Sequence, residues 1–138
     1  MPDSVGIKIG VEGEREFKAS LREINAAFKV LGSEMTLAAS QFDKQDKSVA
    51  NLTARNAVLT KEIDAQKGKI ETLKAALDNA STSFGETDKR TLAWQTQLNK
   101  AQAELNSMER ELEKNNAAIN SRVTEVVETY RAVQTGLC

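Results

Sequence analysis

The sequence predicts an all-α fold of long helices packed along narrow seams, and three observations carry that expectation. Aromatic residues make up 4% of the chain and charged residues 28%. Bulky side chains for a thick core are therefore scarce, while the Ala, Leu, Glu, Lys and Gln of long helices abound. Between Val49 and Leu77, Val49, Leu52, Asn56, Leu59, Ile63, Gln66, Ile70, Leu73 and Leu77 recur in alternating steps of three and four. A repeat of about 3.5 residues keeps one stripe on one side of a slightly underwound helix. Two further segments show the same alternation. The expected architecture is a coiled-coil helical hairpin over residues 48–133, preceded by a short N-terminal β-strand within 1–13 and an amphipathic helix over 14–42.

The strand rests on Val5, Ile7, Ile9 and Val11, which alternate with Gly6, Lys8 and Gly10. Period two with β-branched residues puts one apolar face on an extended segment. A lone strand leaves its backbone groups unpaired, so these four residues are expected to pair with a strand of another copy or another protein. Gly13 then ends the strand. Glu14 and Glu16 follow where acidic groups favour a helix start. The first helical seam is Phe17, Leu21, Ile24, Phe28, Leu31, Met35, Ala38 and Phe42. Its phenylalanines are expected to pack rather than to line a ligand box.

The polar interval Asp43–Ser48 is expected to break the chain. Heptad phase runs through it from Phe42 to Val49, which favours one rod, yet Asp43, Asp46 and Ser48 are favourable caps for a new helix. The second helix should run to about Asn79, and a loop at about 81–87 should follow because hydroxyl residues and Gly85 cluster there. Ser83 or Thr87 is the expected cap of the third helix. Its seam is Trp94, Leu98, Ala101, Leu105, Met108, Leu112, Asn115 and Ile119. Past Arg122 the stripe moves to Val123, Val126, Val127, Tyr130 and Val133, and Gly136 should end the helix.

A hairpin makes an arithmetic demand. Facing positions on two antiparallel helices have residue numbers of constant sum. A sum near 171 pairs Leu77 with Trp94, Leu73 with Leu98, Ile70 with Ala101, Ile63 with Met108 and Leu59 with Leu112. It also sets Asn56 against Asn115. Two amides meeting in an apolar seam can bond each other and fix register at some cost in stability. The same register sets Glu62 facing Glu111. The rival arrangement is a continuous parallel oligomer in which each Asn56 meets its own copies. An arm of the hairpin would be roughly 45–50 Å long at about 1.5 Å per residue.

Several chemistries are disfavoured. The chain has no His and a single Cys, Cys138, so imidazole triads, His metal sites and thiolate metal sites are not expected. Gly6, Gly10 and Gly13 lack the Lys-Ser/Thr of a phosphate loop. Carboxylates alternate with Lys on helix faces, the pattern of solvated surface. No catalytic residue, cofactor or metal is therefore expected, and no small-molecule substrate. A net charge of −1 offers no global attraction to nucleic acid or an anionic membrane. No apolar run approaches the roughly 20 residues of a membrane span. A soluble chain without an export signal is expected.

With the elements placed, three strings can be compared with a known family. IKIGVEGEREFKASLREINAAFKVLGSEM (Ile7–Met35), QFDKQDKSVANLTARNAVLTKEIDAQKGKIETLKAAL (Gln41–Leu77) and SFGETDKRTLAWQTQLNKAQAELNSMERELEKN (Ser83–Asn115) together resemble the N-terminal region of tail tape measure proteins. These belong to long-tailed phages and prophages of Gram-positive bacteria. The resemblance lies in the order of strand, Phe-bearing helix, polar turn, heptad helix, F-G-E loop and W-Q-x-x-L helix. It implies a structural virion-tail protein, assembled in the bacterial cytoplasm, whose multi-copy helical core templates tail tube polymerisation. Partners implied are further copies of itself, tail tube subunits and tail assembly chaperones. Family members are far longer, so an N-terminal fragment or a truncated prophage remnant is expected, too short to act as a ruler. The resemblance brings no catalytic residues.

Two readings compete with it: a cytoplasmic coiled-coil adaptor unrelated to phage, and a module that adds its N-terminal strand to a partner's sheet.

Overall fold

The computed structural model describes residues 10–43, 46 and 48–136. Among them the chain forms three helices, α1 (Gly10–Ser40), α2 (Val49–Phe84) and α3 (Lys89–Gly136). At about 1.5 Å per residue, α2 is about 54 Å long and α3 about 72 Å. α2 is the shared element: α1 packs along one side of it and α3 along another. Both neighbours run antiparallel to it. Gly10 at the start of α1 bonds Asn79 near the end of α2, and Asn56 near the start of α2 bonds Asn115 far along α3.

The first helix begins earlier than the sequence suggests. Val5, Ile7 and Ile9 lie outside the described residues, but Gly10 and Val11 are helical and Val11 is exposed. The expected strand therefore does not extend to Val11, and Gly13 lies buried inside a helix rather than ending a strand. The reason is tertiary. Gly10, at φ 62°, donates its N–H to Asn79 Oδ1 at 3.0 Å and to Ser83 Oγ at 3.2 Å. Asn79 Nδ2 returns a bond to the Gly10 carbonyl at 3.3 Å. An otherwise unsatisfied amide at the helix start is thus met by the neighbouring helix.

Between α1 and α2 the chain breaks from Gln41, two residues before the polar interval expected to break it, so Phe42 lies outside α1. Ser48, extended at φ −64° and ψ 159°, caps α2 by accepting from the Asn51 N–H at 3.2 Å. Asp46 accepts from the Ser48 N–H at 2.7 Å, and Asn51 Nδ2 donates to the Asp46 carbonyl. The bonds from Ser48 hold the Asp46 carboxyl below its usual range, with a smaller contribution from the Arg122 charge.

The turn between α2 and α3 is tighter than the 81–87 loop drawn from composition. Ser81, Thr82 and Ser83 remain helical, and only Gly85–Asp88 lie outside the two helices. Gly85, at φ 98°, donates to the Ser81 carbonyl and closes α2, a backbone conformation that favours glycine. Asp88, rather than Ser83 or Thr87, caps α3 by accepting from the Arg90 N–H at 2.9 Å. Arg90 folds back on the same carboxylate and lays its guanidinium 3.5 Å from the centroid of the Phe84 ring. The Arg90 side chain first, and its backbone N–H second, pull the Asp88 carboxyl down to about 2.

Candidate functional site: the two faces of the central helix

The residues proposed from sequence to pack the helices fall into one continuous core and a surrounding layer. Leu21, Leu59, Ile63, Ile70, Leu73, Trp94 and Leu105 are buried in one cluster with Ala76, Ala80 and Ala101. Phe17, Ile24, Met35, Leu77, Leu98, Met108 and Leu112 are half-buried against it. Leu52 is buried, while Phe28, Leu31, Asn56, Asn115 and Ile119 are half-buried. Of the strand-pairing set, only Val11 lies among the described residues, on the exposed start of α1.

The face of α2 toward α3 carries the expected register. Asn115 Nδ2 donates to Asn56 Oδ1 at 2.9 Å, a residue sum of 171. Asn56 Nδ2 in turn donates to Asn116 Oδ1 at 3.0 Å. Nearly three turns further along α2, buried Gln66 donates to the Ala101 carbonyl at 2.8 Å. These contacts make the interface polar at two fixed levels and apolar between them. A slip by one heptad would separate Asn56 from Asn115 and break the side-chain pair that marks this register. Glu62 and Glu111 also come close enough to repel. Burial first, and the Glu111 charge second, raise the Glu62 carboxyl above its usual range.

The face of α2 toward α1 was not visible in the heptad pattern. Val58 and Ala76 are buried, although neither is an a or d position of the seam shared with α3, and Asn51 is buried under the connector, bonded to Ser48, Asp46 and Arg55. With a at Ile63, Val58 and Ala76 fall at c and g, one side of the helix away from the main stripe. Lys69, also at g, holds its ammonium 5.8 Å from the Phe28 ring centroid of α1. Lys61 pairs with Glu34 of α1 at 3.3 Å, an exposed ion pair worth at most about 1 kcal/mol. Small and polar residues on c and g let α1 approach closely without announcing a second hydrophobic stripe.

One contact joins all three helices. Buried Trp94 of α3 donates its indole N–H to Glu14 Oε1 of α1 at 2.7 Å, across the end of α2. Trp94 is 2% exposed and Glu14 7%, so the carboxylate sits in the core beside the ring it accepts from. A hydrogen bond to a charged acceptor is stronger than a neutral one. Sequence placed Trp94 in a seam, but Glu14, expected at the helix start, lies past the first turn of α1 and is buried, and nothing in their spacing joined the two. Asn79 and Asp88 gave no more signal than any surface Asn or Asp.

The spaces between helices are open grooves. One, of about 440 Å³, lies beside the turn and includes Leu77, Glu86, Thr91 and Leu92. Another, of about 640 Å³, runs along α2 and α3 between Leu52, Arg55, Arg110, Glu111 and Arg122. Among the described residues no group of three or more His, Cys, Asp or Glu is placed to hold a metal ion. No described helix is long and apolar enough to cross a membrane. Compared with known proteins, the chain matches no family model, no curated protein and no solved structure. What the arrangement can do is hold long helices in fixed register and present their outer faces.

Proposed function

We propose that the chain is a structural assembly module of a phage or prophage tail, the N-terminal part of a tape measure protein. Its task on this reading is to form the helical head on which tail tube subunits and tail assembly chaperones gather. The observation that carries the structural half is the Asn56–Asn115 amide pair in a largely apolar seam. Register keys of this kind serve a molecule whose work is to place long helices accurately. The tail assignment rests on the three strings from Ile7 to Asn115 and their order.

In this proposal α2 and α3 are the two strands of an antiparallel coiled coil, with Ile63 and Ile70 at a and Leu59, Gln66 and Leu73 at d. α1 is a third helix laid against it. Such a folded-back head shortens the span per residue and cannot itself measure length, since a helix gains about 1.5 Å per residue only when extended. The head therefore starts assembly, and length is set elsewhere in a tape measure.

Two experiments test the two halves. Asn56→Cys with Asn115→Cys, in a Cys138→Ser background, should give an intrachain disulfide on mild oxidation. Efficient linking of residue 56 between chains instead would replace the hairpin by a parallel oligomer. Co-expression with the tail tube and chaperone genes beside it should yield a complex on size-exclusion chromatography. Neighbouring genes unrelated to tails, together with no complex, would favour the cytoplasmic adaptor.

A further inference from the structure

The distal end of α3 has no cover within the described chain. In the 171 register the first residue of α2, Val49, lies level with Arg122. The residues from Val123 to Gly136 therefore run on alone for about 21 Å. Every residue from Ser121 to Thr135 is exposed. The stripe there is nonetheless apolar, with Val123 48%, Val126 68%, Val127 44%, Tyr130 64% and Val133 52% exposed.

We propose that this tail is a self-association surface and that its occupant is the same tail of a second copy, running antiparallel. Three arguments select that occupant. The stripe follows on from the seam already buried by α2 with a shift of frame that makes Val123 and Tyr130 a: Leu112, Asn115 and Ile119 lead through two successive steps of four into Val123, Val126, Tyr130 and Val133. An antiparallel helix is what covers that seam up to Arg122, and a partner tail would continue the same arrangement. Second, the stripe is self-complementary about a two-fold axis. At a residue sum of 256, Val123 faces Val133 of the second copy and Val126 faces Tyr130. Val127 then approaches its own counterpart near the axis, as a closed isologous contact requires. Third, Glu125, Glu128 and Arg131 fall at c, f and b, outside the stripe, so no like charges meet across it.

The size of the patch sets its strength. Five large side chains, about half exposed, can bury at most roughly 1,000 Å² in total over two copies, the lower edge for a specific interface. The dimer is therefore weak and concentration-dependent. Because an isolated helix this short is marginal in water, pairing also firms the tail. This inference stands apart from the tail assignment: losing it leaves the Asn56–Asn115 hairpin and its proposed partners untouched.

Sedimentation equilibrium of the full chain, from about 1 to 200 μM, should show a monomer–dimer equilibrium in the micromolar range expected of so small an interface. Val126→Glu should raise the dissociation constant by about 100-fold or more, since it buries an unpaired charge, while Trp94 fluorescence, reporting on the distant core, stays unchanged. Orientation is read with Val123→Cys and Val133→Cys chains, both in a Cys138→Ser background. Mixed, they should link 123 to 133 between copies; alone, neither should link efficiently. A monomer throughout the concentration range, a dimer unaffected by Val126→Glu, or efficient 123–123 linking would each overturn the proposal.

Discussion

The two sides of α2 solve the same packing problem with different chemistry. Toward α3 the interface is built from large aliphatic residues, closed by Trp94 and keyed by Asn56, Gln66 and Asn115. Toward α1 it is built from Val58, Ala76 and half-buried phenylalanines, with only Gly13, Glu14 and Leu21 of α1 buried. Hydrophobic stabilisation follows the apolar area removed from water. The α3 side should thus hold the molecule together, while α1 is the helix most readily released.

The largest expected effect tests the firm face. Leu73 is 0% exposed at the centre of the core, and Leu73→Ala should cost about 2–5 kcal/mol by loss of transfer energy plus the cavity left behind. Leu31→Ala, in the half-buried layer of α1, should cost about 1 kcal/mol, because less area is lost and the site is open to solvent. Urea unfolding followed by circular dichroism measures both. Equal losses would break the comparison.

The Trp94–Glu14 bond is where the two faces are tied. Trp94→Phe keeps most of the ring's packing but leaves the Glu14 carboxylate buried without its donor, at a cost of about 1–3 kcal/mol. Hydrogen exchange should quicken in the first turns of α1 and stay slow in α2 around Leu73. Protection lost equally in all three helices would mean that α1 is not the yielding element. Glu14→Gln, which can still accept from the indole, should fall between wild type and Trp94→Phe.

The amide keys should act on register more than on stability. Replacing Asn56, Gln66 and Asn115 together by Leu removes both partners of one bond and the donors of three others, to Asn116, the Ala101 carbonyl and Glu104. The loss should be near zero or reversed, since apolar groups then fill an apolar seam. With Leu59→Cys and Leu112→Cys added, the wild-type seam should give one intrachain disulfide. In the triple variant, slipped pairings such as 59 with 105 should compete with it. A single product from the triple variant would transfer the register-setting role to Trp94 and the turn.

Much of this was legible in the sequence, and the exceptions share a cause. The α2–α3 seam could be read because its residues are large, regularly spaced and marked by asparagines at a matching sum. Ser48 as cap could be read because a side-chain oxygen before a heptad run has one obvious use. The second face of α2 could not, since Val58 and Ala76 are small and look like surface. The early start of α1 depends on Asn79 and Ser83, some seventy residues away, and local alternation at Gly10 and Val11 gave no hint of it. Ser81–Ser83 looked like loop because hydroxyl clusters mark turns. Here they finish a helix whose end is fixed by Gly85. At the second face of α2 and at the start of α1 a tertiary partner overrode local propensity, whereas at Gly85 a local backbone cap did.

The smallest effect expected concerns the flaw in the firm face. Glu62 has its carboxyl raised by burial and by Glu111, so folding favours the protonated form. The stability linked to this group is fully present below the unfolded carboxylate range and is lost as pH rises through the higher folded value. At neutral pH the charged pair therefore works against the seam. Glu62→Gln should raise Tm slightly at pH 7, and the gain should shrink to nothing by about pH 4, where an ordinary carboxylate is largely protonated. Partial exposure of Glu62 keeps the effect small through solvent screening. Asp88 titrates in the opposite sense: its lowered value, about 2, contributes stability above the unfolded carboxylate range that fades as pH falls toward 2. Thermal melts of wild type and Glu62→Gln between pH 3 and 8 separate the two groups, because the variant removes one slope and leaves the other. A gain that persisted at low pH would place the benefit of Gln in packing rather than in charge.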